Sequence, residues 1–230
     1  MADTKYYSIE FHGDRILTLV TSSAAIVERW ILNIYHLHRH RLHKLIIGLD
    51  TQYLASLSPN TSYPVATIQL CVGHRCLIFQ CLHADAIPAT LVNFLGNKNF
   101  TFVGVGIRND AKKLMNDHGL RVVTTRDVAD GAAEKYKESK FRIKGLKNLA
   151  LELLGLSMEK PMEITLSAWN ASNLSQAQVE YACHEAYVAY LLGMKLYKVE
   201  KYPSAPIMYY MECAFQGRYS NYNMPMFPSD

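Results

Sequence analysis

Three acids and one phenol stand where a strand or a helix can present them together. In LIIGLDTQYLAS, residues 45–56, an aliphatic run ends at Asp50, and Gln52 follows two positions later. Positions i and i+2 of a strand project from the same face, so a D-x-E pair here would aim two carboxylates at one point, as a metal site requires. This chain supplies one carboxylate and one amide. Asp110, in GVGIRNDAKKL, falls in the first turn of an expected helix, where an acid also simply favours the positive end of the dipole. Glu185, in QVEYACHEAYVAY, lies four residues after Tyr181, one turn along the same helix face. A phenol beside metal-bound carboxylates can orient an attacking water, although a lone glutamate on a long helix is usually just solvated.

The elements that must carry these residues are readable from period and punctuation. Tyr6 to Phe11 and Arg15 to Thr21 are β-rich runs around HGD, a hairpin. Ser22 and Ser23 offer caps for an amphipathic helix running to about Arg39, which leads into the strand Leu45 to Asp50. VATIQLCV, GHR and CLIFQ read as strand, turn and strand. A helix from Ile87 to Leu95 has Pro88 in its first turn, Phe100 to Val105 is a short buried strand, and Ile107 to His118 is a helix stopped by Gly119. Arg121 to Thr125 is a further strand candidate. Helices follow at about Asp127 to Lys137, Leu146 to Leu154 and Ser175 to Lys198. Early strands and late helices predict an α/β fold, a mixed sheet flanked by helices in a single domain, without internal repeats.

The 230 residues are half apolar and 19% charged, which suits one folded domain and excludes a disordered chain. A domain spanning 1–201 is expected, followed by an irregular Tyr/Met/Pro-rich tail over 202–230. Neither a secretory signal nor a stretch able to span a bilayer is found, so the expected location is intracellular, nucleus or cytoplasm. Five cysteines suit reduced thiols rather than a disulfide framework. CVGHRC reads as a hairpin tip, because a four-ligand zinc site lacks its second half. YHLHRHRLH, residues 35–43, reads as basic residues suited to a helix C-terminus.

The order IIGLDTQY, IQL, FVGVGIRNDAKKL, KGLKNLA, LSAW and LSQAQVEYACHEAYVAY resembles the Werner-syndrome-like 3′-5′ exonucleases of the DEDD superfamily, tyrosine subclass, over residues 5 to 198. The resemblance implies a ribonuclease H-like fold and two divalent ions, Mg²⁺ or Mn²⁺, held by four carboxylates at the 3′ end of a nucleic acid strand. On that pattern Asp50 matches the acid bridging both ions, Asp110 the third acid and Tyr181 the water-positioning phenol. Gln52 stands where a Glu is expected, and Glu185 where the final Asp is expected. An amide is a poorer ligand than a carboxylate for a hard dication. At about 4 Å and an effective dielectric near 20, one missing unit charge is worth several kcal/mol to such an ion. Glu185 keeps its charge but displaces it, and a misplacement of about 1 Å can cost on the order of a hundredfold in rate. Metal binding is therefore expected to be weak or partial, with residual activity showing first in Mn²⁺.

The segment EKYKESKFRIKGLKN, residues 134–148, carries Lys140, Arg142, Lys144 and Lys147, with Tyr136 and Phe141 interleaved, and Lys112 and Lys113 lie on the helix of Asp110. Basic side chains attract phosphates and rings stack on bases, although a solvated helix and loop has the same composition. Expected partners are single-stranded DNA or RNA 3′ ends and no membrane, with a protein partner or self-association as a further role of the tail. Two functions compete: a weak metal-dependent 3′-5′ exonuclease, and an inactive pseudo-exonuclease serving as an interaction module.

Overall fold

A computed structural model describes residues 4–55 and 61–197. The described residues contain a seven-stranded mixed sheet with helices on both faces. Strands β1 (Thr4–Phe11) and β2 (Asp14–Thr21) form the hairpin. Helix α1 (Ala24–Leu37) follows, then β3 (Leu45–Gln52), β4 (Thr67–Val72), β5 (Arg75–Phe79), α2 (Ala89–Leu95), β6 (Phe100–Gly104) and α3 (Ile107–His118). The short β7 (Thr125–Asp127) leads into α4 (Val128–Tyr136). A 3-10 turn at Ser139–Ile143, α5 (Leu146–Leu149) with a π-helical turn over Ala150–Leu154, α6 (Met162–Thr165) and α7 (Gln176–Tyr197) complete the order. The strands lie in the order β1-β2-β5-β4-β3-β6-β7. Pairings β2–β5, β3–β6 and β6–β7 are parallel, and the others are antiparallel.

Strand alternation divides the core into two layers. Leu45, Ile47 and Leu49 of β3 face α1, α2 and α3, together with Phe79, Phe100 and Phe102. Ile46, Ile78 and Val103 face α7 and α4 on the other side. Helix α7 is buried over most of its length, which explains why its sequence lacks a clean polar face.

Three details depart from the sequence expectations. The caps offered by Ser22 and Ser23 are not used as side-chain caps; Asp85 Oδ1 accepts from Ala24 N at 2.7 Å, supplying a charged partner from a distant loop. Pro88 precedes α2 as its N-cap instead of lying in the first turn. The strand placed at Arg121 to Thr125 begins only at Thr125, because Thr125 to Asp127 are the residues in register with Phe102 to Gly104 of β6. The tail over 202–230 lies outside the described residues.

Candidate active site

The site forms around the C-terminal end of β3. Asp50 and Gln52 share the face turned toward α7, while Thr51 points to α3. Two residues before Asp50, Gly48 allows the helix backbone to rest on the strand: a Cβ there would lie 2.0 Å from the Ala186 carbonyl oxygen and 2.8 Å from Tyr190 N. This close approach sets Glu185 and Tyr181 beside Asp50. Gln52, only 9% exposed, turns its amide inward and donates from Nε2 to Asp50 Oδ2 at 2.7 Å. The NH₂ that a cation would need turned away is therefore aimed at the central carboxylate.

Asp110 enters from the other layer. Gly106, at φ +69°, turns the chain from β6 into α3, a conformation L side chains rarely adopt. Thr51 Oγ1 donates to Asp110 Oδ1 at 2.8 Å, tying the acid to the strand. Asp127 braces the same corner: its Oδ2 accepts from Gly106 N at 2.7 Å and its Oδ1 from Ala129 N at 2.8 Å, capping α4. On α7, the Tyr181 hydroxyl interacts with Glu185 and Thr165. Glu185 is 7% exposed, and its Oε1 has no hydrogen-bond partner. The Lys160 ammonium stands 3.9 Å from that oxygen.

Burial and mutual repulsion dominate the electrostatics. Asp50 is pushed well above the usual carboxylate range, first by burial and then by the charges of Glu185 and Asp110; the Gln52 hydrogen bond and Lys160 pull it back. Asp110 is pushed up to about 6, by burial first, with Thr51 opposing and Asp127 and Glu185 adding to the rise. Glu185 is raised by burial, against Lys160 and Tyr181. The Tyr181 phenol is raised by burial and by Glu185, so it stays a neutral hydroxyl. Three hard oxygen donors that disfavour one another's charge, one bearing an unpartnered buried oxygen, fit a single divalent cation such as Mg²⁺ or Mn²⁺ in charge and ligand type. At the Gln52 corner there is no fourth carboxylate, and the amide N–H donates to Asp50 instead of adding negative charge, which does not suit a second dication. Among the described residues, no three His, Cys, Asp or Glu side chains are gathered closely enough to enclose an ion as they stand.

Asp85 and Glu180 stay away from the site: Asp85 is committed to α1, and Glu180 accepts from Gln176 in an exposed contact on α7. His184 packs its ring on Phe11, and His74 contacts Asp14 and Tyr187 at the far hairpin. The basic segment is less free than its composition suggests. Lys140 pairs with Glu138 and Glu152, Lys144 with Glu152, Arg142 with Asp130 at 3.7 Å, and Lys147 with Glu159 at 4.0 Å. Lys113 is anchored by Asp117 and the Tyr63 carbonyl, whereas Lys112 is exposed. Phe141 is unavailable for base stacking. The 3-10 turn drives it into the core with Lys140 and Lys144 over its ring, and leaves Ile143 90% exposed instead. Thr51 was legible from strand alternation, being the residue between the two site positions; nothing local marks Lys160, which lies in an irregular stretch before α6.

This sheet order, with acids from β3, α3 and α7 converging at one end, defines a ribonuclease H-like exonuclease fold. The chain belongs to the 3′-5′ exonuclease family, whose pattern matches residues 28–199. It is 32% identical over 157 residues to a 3′-5′ exonuclease of Arabidopsis thaliana, covering 67% of this chain and 52% of that protein. It is 30% identical over 152 residues to the bifunctional 3′-5′ exonuclease/ATP-dependent helicase WRN of Mus musculus, covering 66% of this chain and 11% of the relative. The match thus spans about half the plant protein and a small part of the helicase. Among solved structures, Escherichia coli RNase D, an exoribonuclease involved in structured RNA processing, superposes with a TM-score of 0.63 at 18% identity over 77% of this chain and 43% of that chain, a likeness of fold. No helix among the described residues is long and apolar enough to cross a membrane.

Proposed function

We propose that this protein binds single-stranded DNA or RNA 3′ ends and hydrolyses their terminal phosphodiesters weakly, with a divalent cation. The observation that carries this is that Asp50, Asp110 and Glu185 lie close enough for charge repulsion to raise the pKa values of Asp50 and Asp110, with Tyr181 hydrogen-bonded to Glu185 and one Glu185 oxygen buried and unpartnered. Asp50, Asp110 and Glu185 would hold Mg²⁺ or Mn²⁺, which when bound lowers the pKa of a coordinated water and offsets charge on the phosphate. Tyr181, kept protonated by burial, orients the attacking water. Exposed Lys112 and the segment of Lys140, Arg142, Lys144 and Lys147 meet the strand's phosphates, each basic group of the segment exchanging an acidic neighbour for phosphate. The functional domain is taken as residues 1–201, with 202–230 an appended segment suited to a protein partner or self-association.

A specific observation favours a second assignment, a catalytically silent module that keeps the cleft for binding: the Gln52 amide already satisfies Asp50, so the central acid needs a cation less. One assay separates the two. A 3′-labelled DNA or RNA oligonucleotide incubated with Mn²⁺ should shorten slowly with the wild type and remain intact with Asp50→Ala. Equal full-length substrate in both removes the nuclease assignment, and fluorescence anisotropy of the same oligonucleotides then decides whether the binding module stands.

A further inference from the structure

Glu185 combines three properties that seldom coexist. It is nine-tenths buried, it stands among like charges, and Oε1 receives no hydrogen bond. A buried carboxylate oxygen left in this state costs free energy unless some cation serves it. Among the described residues, the cation set within ion-pair reach of the three site acids is Lys160, 3.9 Å from that oxygen. That separation exceeds a charge-assisted hydrogen bond, about 2.7 to 2.9 Å, so the ammonium attracts the oxygen without satisfying it. Lys160 is 49% exposed on a long flexible stem, so it can withdraw into water when something better arrives.

We propose that Lys160 is a resident counter-ion that competes with a divalent cation for Glu185, setting how tightly the site takes its metal. The inference rests on Asp50, Asp110 and Glu185 being the cation-holding group, but not on any cleavage taking place. Gln52 and Lys160 then play parallel parts at the two ends of the acid cluster. The amide hydrogen serves Asp50 and the ammonium serves Glu185, each supplying positive charge that an arriving ion must displace or tolerate.

The test is Mn²⁺ binding to the full chain, read by electron paramagnetic resonance of free Mn²⁺ or by calorimetry, for wild type, Lys160→Met, Lys160→Arg and Lys160→Met with Glu185→Gln. Removing one half-exposed positive charge near a dication should tighten binding by about fivefold to tenfold after solvent screening. Lys160→Arg keeps the charge and should stay within about twofold of wild type. Adding Glu185→Gln should erase the gain. The proposal is overturned if Lys160→Met binds no tighter than wild type, including the case where neither binds up to millimolar Mn²⁺, or if the gain survives without the Glu185 carboxylate. Circular dichroism establishes that each variant is folded. A protein that cleaves nothing yet gains Mn²⁺ affinity on losing Lys160 loses the nuclease assignment and keeps this one; cleavage without any effect of Lys160 does the reverse.

Discussion

Replacing Gln52 by glutamate probes the site at its most unusual bond. In the wild type, Gln52 Nε2 donates to Asp50 Oδ2 at 2.7 Å, a charge-assisted hydrogen bond worth about 1.5 to 3 kcal/mol. The carboxylate of Gln52→Glu would put an anionic oxygen where that donor sits. Two unit charges at this separation repel by about 6 kcal/mol at an effective dielectric of 20, an upper bound that the pair escapes by holding a proton. Holding that proton costs about 1.4 kcal/mol for each unit by which the pH exceeds the ordinary carboxylate value of about 4, which bounds the cost at about 5 kcal/mol near pH 8 without metal. Because burial already raises Asp50 in the wild type, a net destabilisation of about 3 kcal/mol is expected. For a chain of this size that lowers Tm by roughly 6 to 12 °C. Mn²⁺ at about a hundred times its Kd should return about 2.7 kcal/mol and close most of the gap. The assay is thermal melting of both proteins in EDTA and in Mn²⁺, near pH 8 and again near pH 5, where the shared proton removes the repulsion. If Gln52→Glu melts with wild type in EDTA near pH 8, or if Mn²⁺ lifts both proteins equally, the amide is not neutralising Asp50.

Two further predictions follow from the same cluster. Asp110, pushed up to about 6, has a folded pKa above its unfolded value of about 4, so its contribution to stability is full below the unfolded value and is lost as pH rises through the folded one. In EDTA, Tm should therefore fall as pH rises from about 5 to 7, and Asp110→Asn should flatten that slope; identical profiles for the two proteins would count against the cause given for Asp110. Gly48→Ala places a methyl 2.0 Å from the Ala186 carbonyl oxygen, and because that atom is helix backbone the whole of α7 must shift. The expected cost is about 3 kcal/mol, with a matching loss of any stabilisation by Mn²⁺ as Glu185 leaves Asp50; a melting curve like that of the wild type would show that α7 is not seated by this glycine.

The elements were legible because their signals are local. A short aliphatic run ending at Asp50 marks β3, Gly119 stops α3 at His118, and Tyr181 and Glu185 share a face by helical spacing alone. What sequence could not supply were contacts between distant segments. Asp85 reaches across 61 residues to cap α1, and Lys160 meets Glu185 from an irregular stretch carrying no period. The basic segment shows the same limit. Composition records Lys140, Arg142 and Lys144 but not that Glu138, Glu152 and Asp130 stand against them, nor that the 3-10 turn buries Phe141 and exposes Ile143. The substitution at position 52 was legible as a missing charge. Its other half, a donor directed at Asp50, depended on a rotamer that no sequence states.

Metal affinity is a difference between the bound and the empty site, and both unusual partners act on the empty one. A cluster of four unprotonated carboxylates is unstable without cations, and that instability is released when ions arrive. Here an amide hydrogen serves Asp50 and an ammonium stands beside Glu185, so on the proposed assignment part of the acids' charge is already offset and less free energy would be gained on binding a cation. If Asp50 and Glu185 hold the ion as proposed, the amide and the lysine must first give up their acids, and that cost lowers the affinity whatever the ligand geometry of the bound state. On the proposed assignment, lower metal affinity and a more stable cluster of acids would be two results of the same pair of contacts, and a change that deepens one must lessen the other.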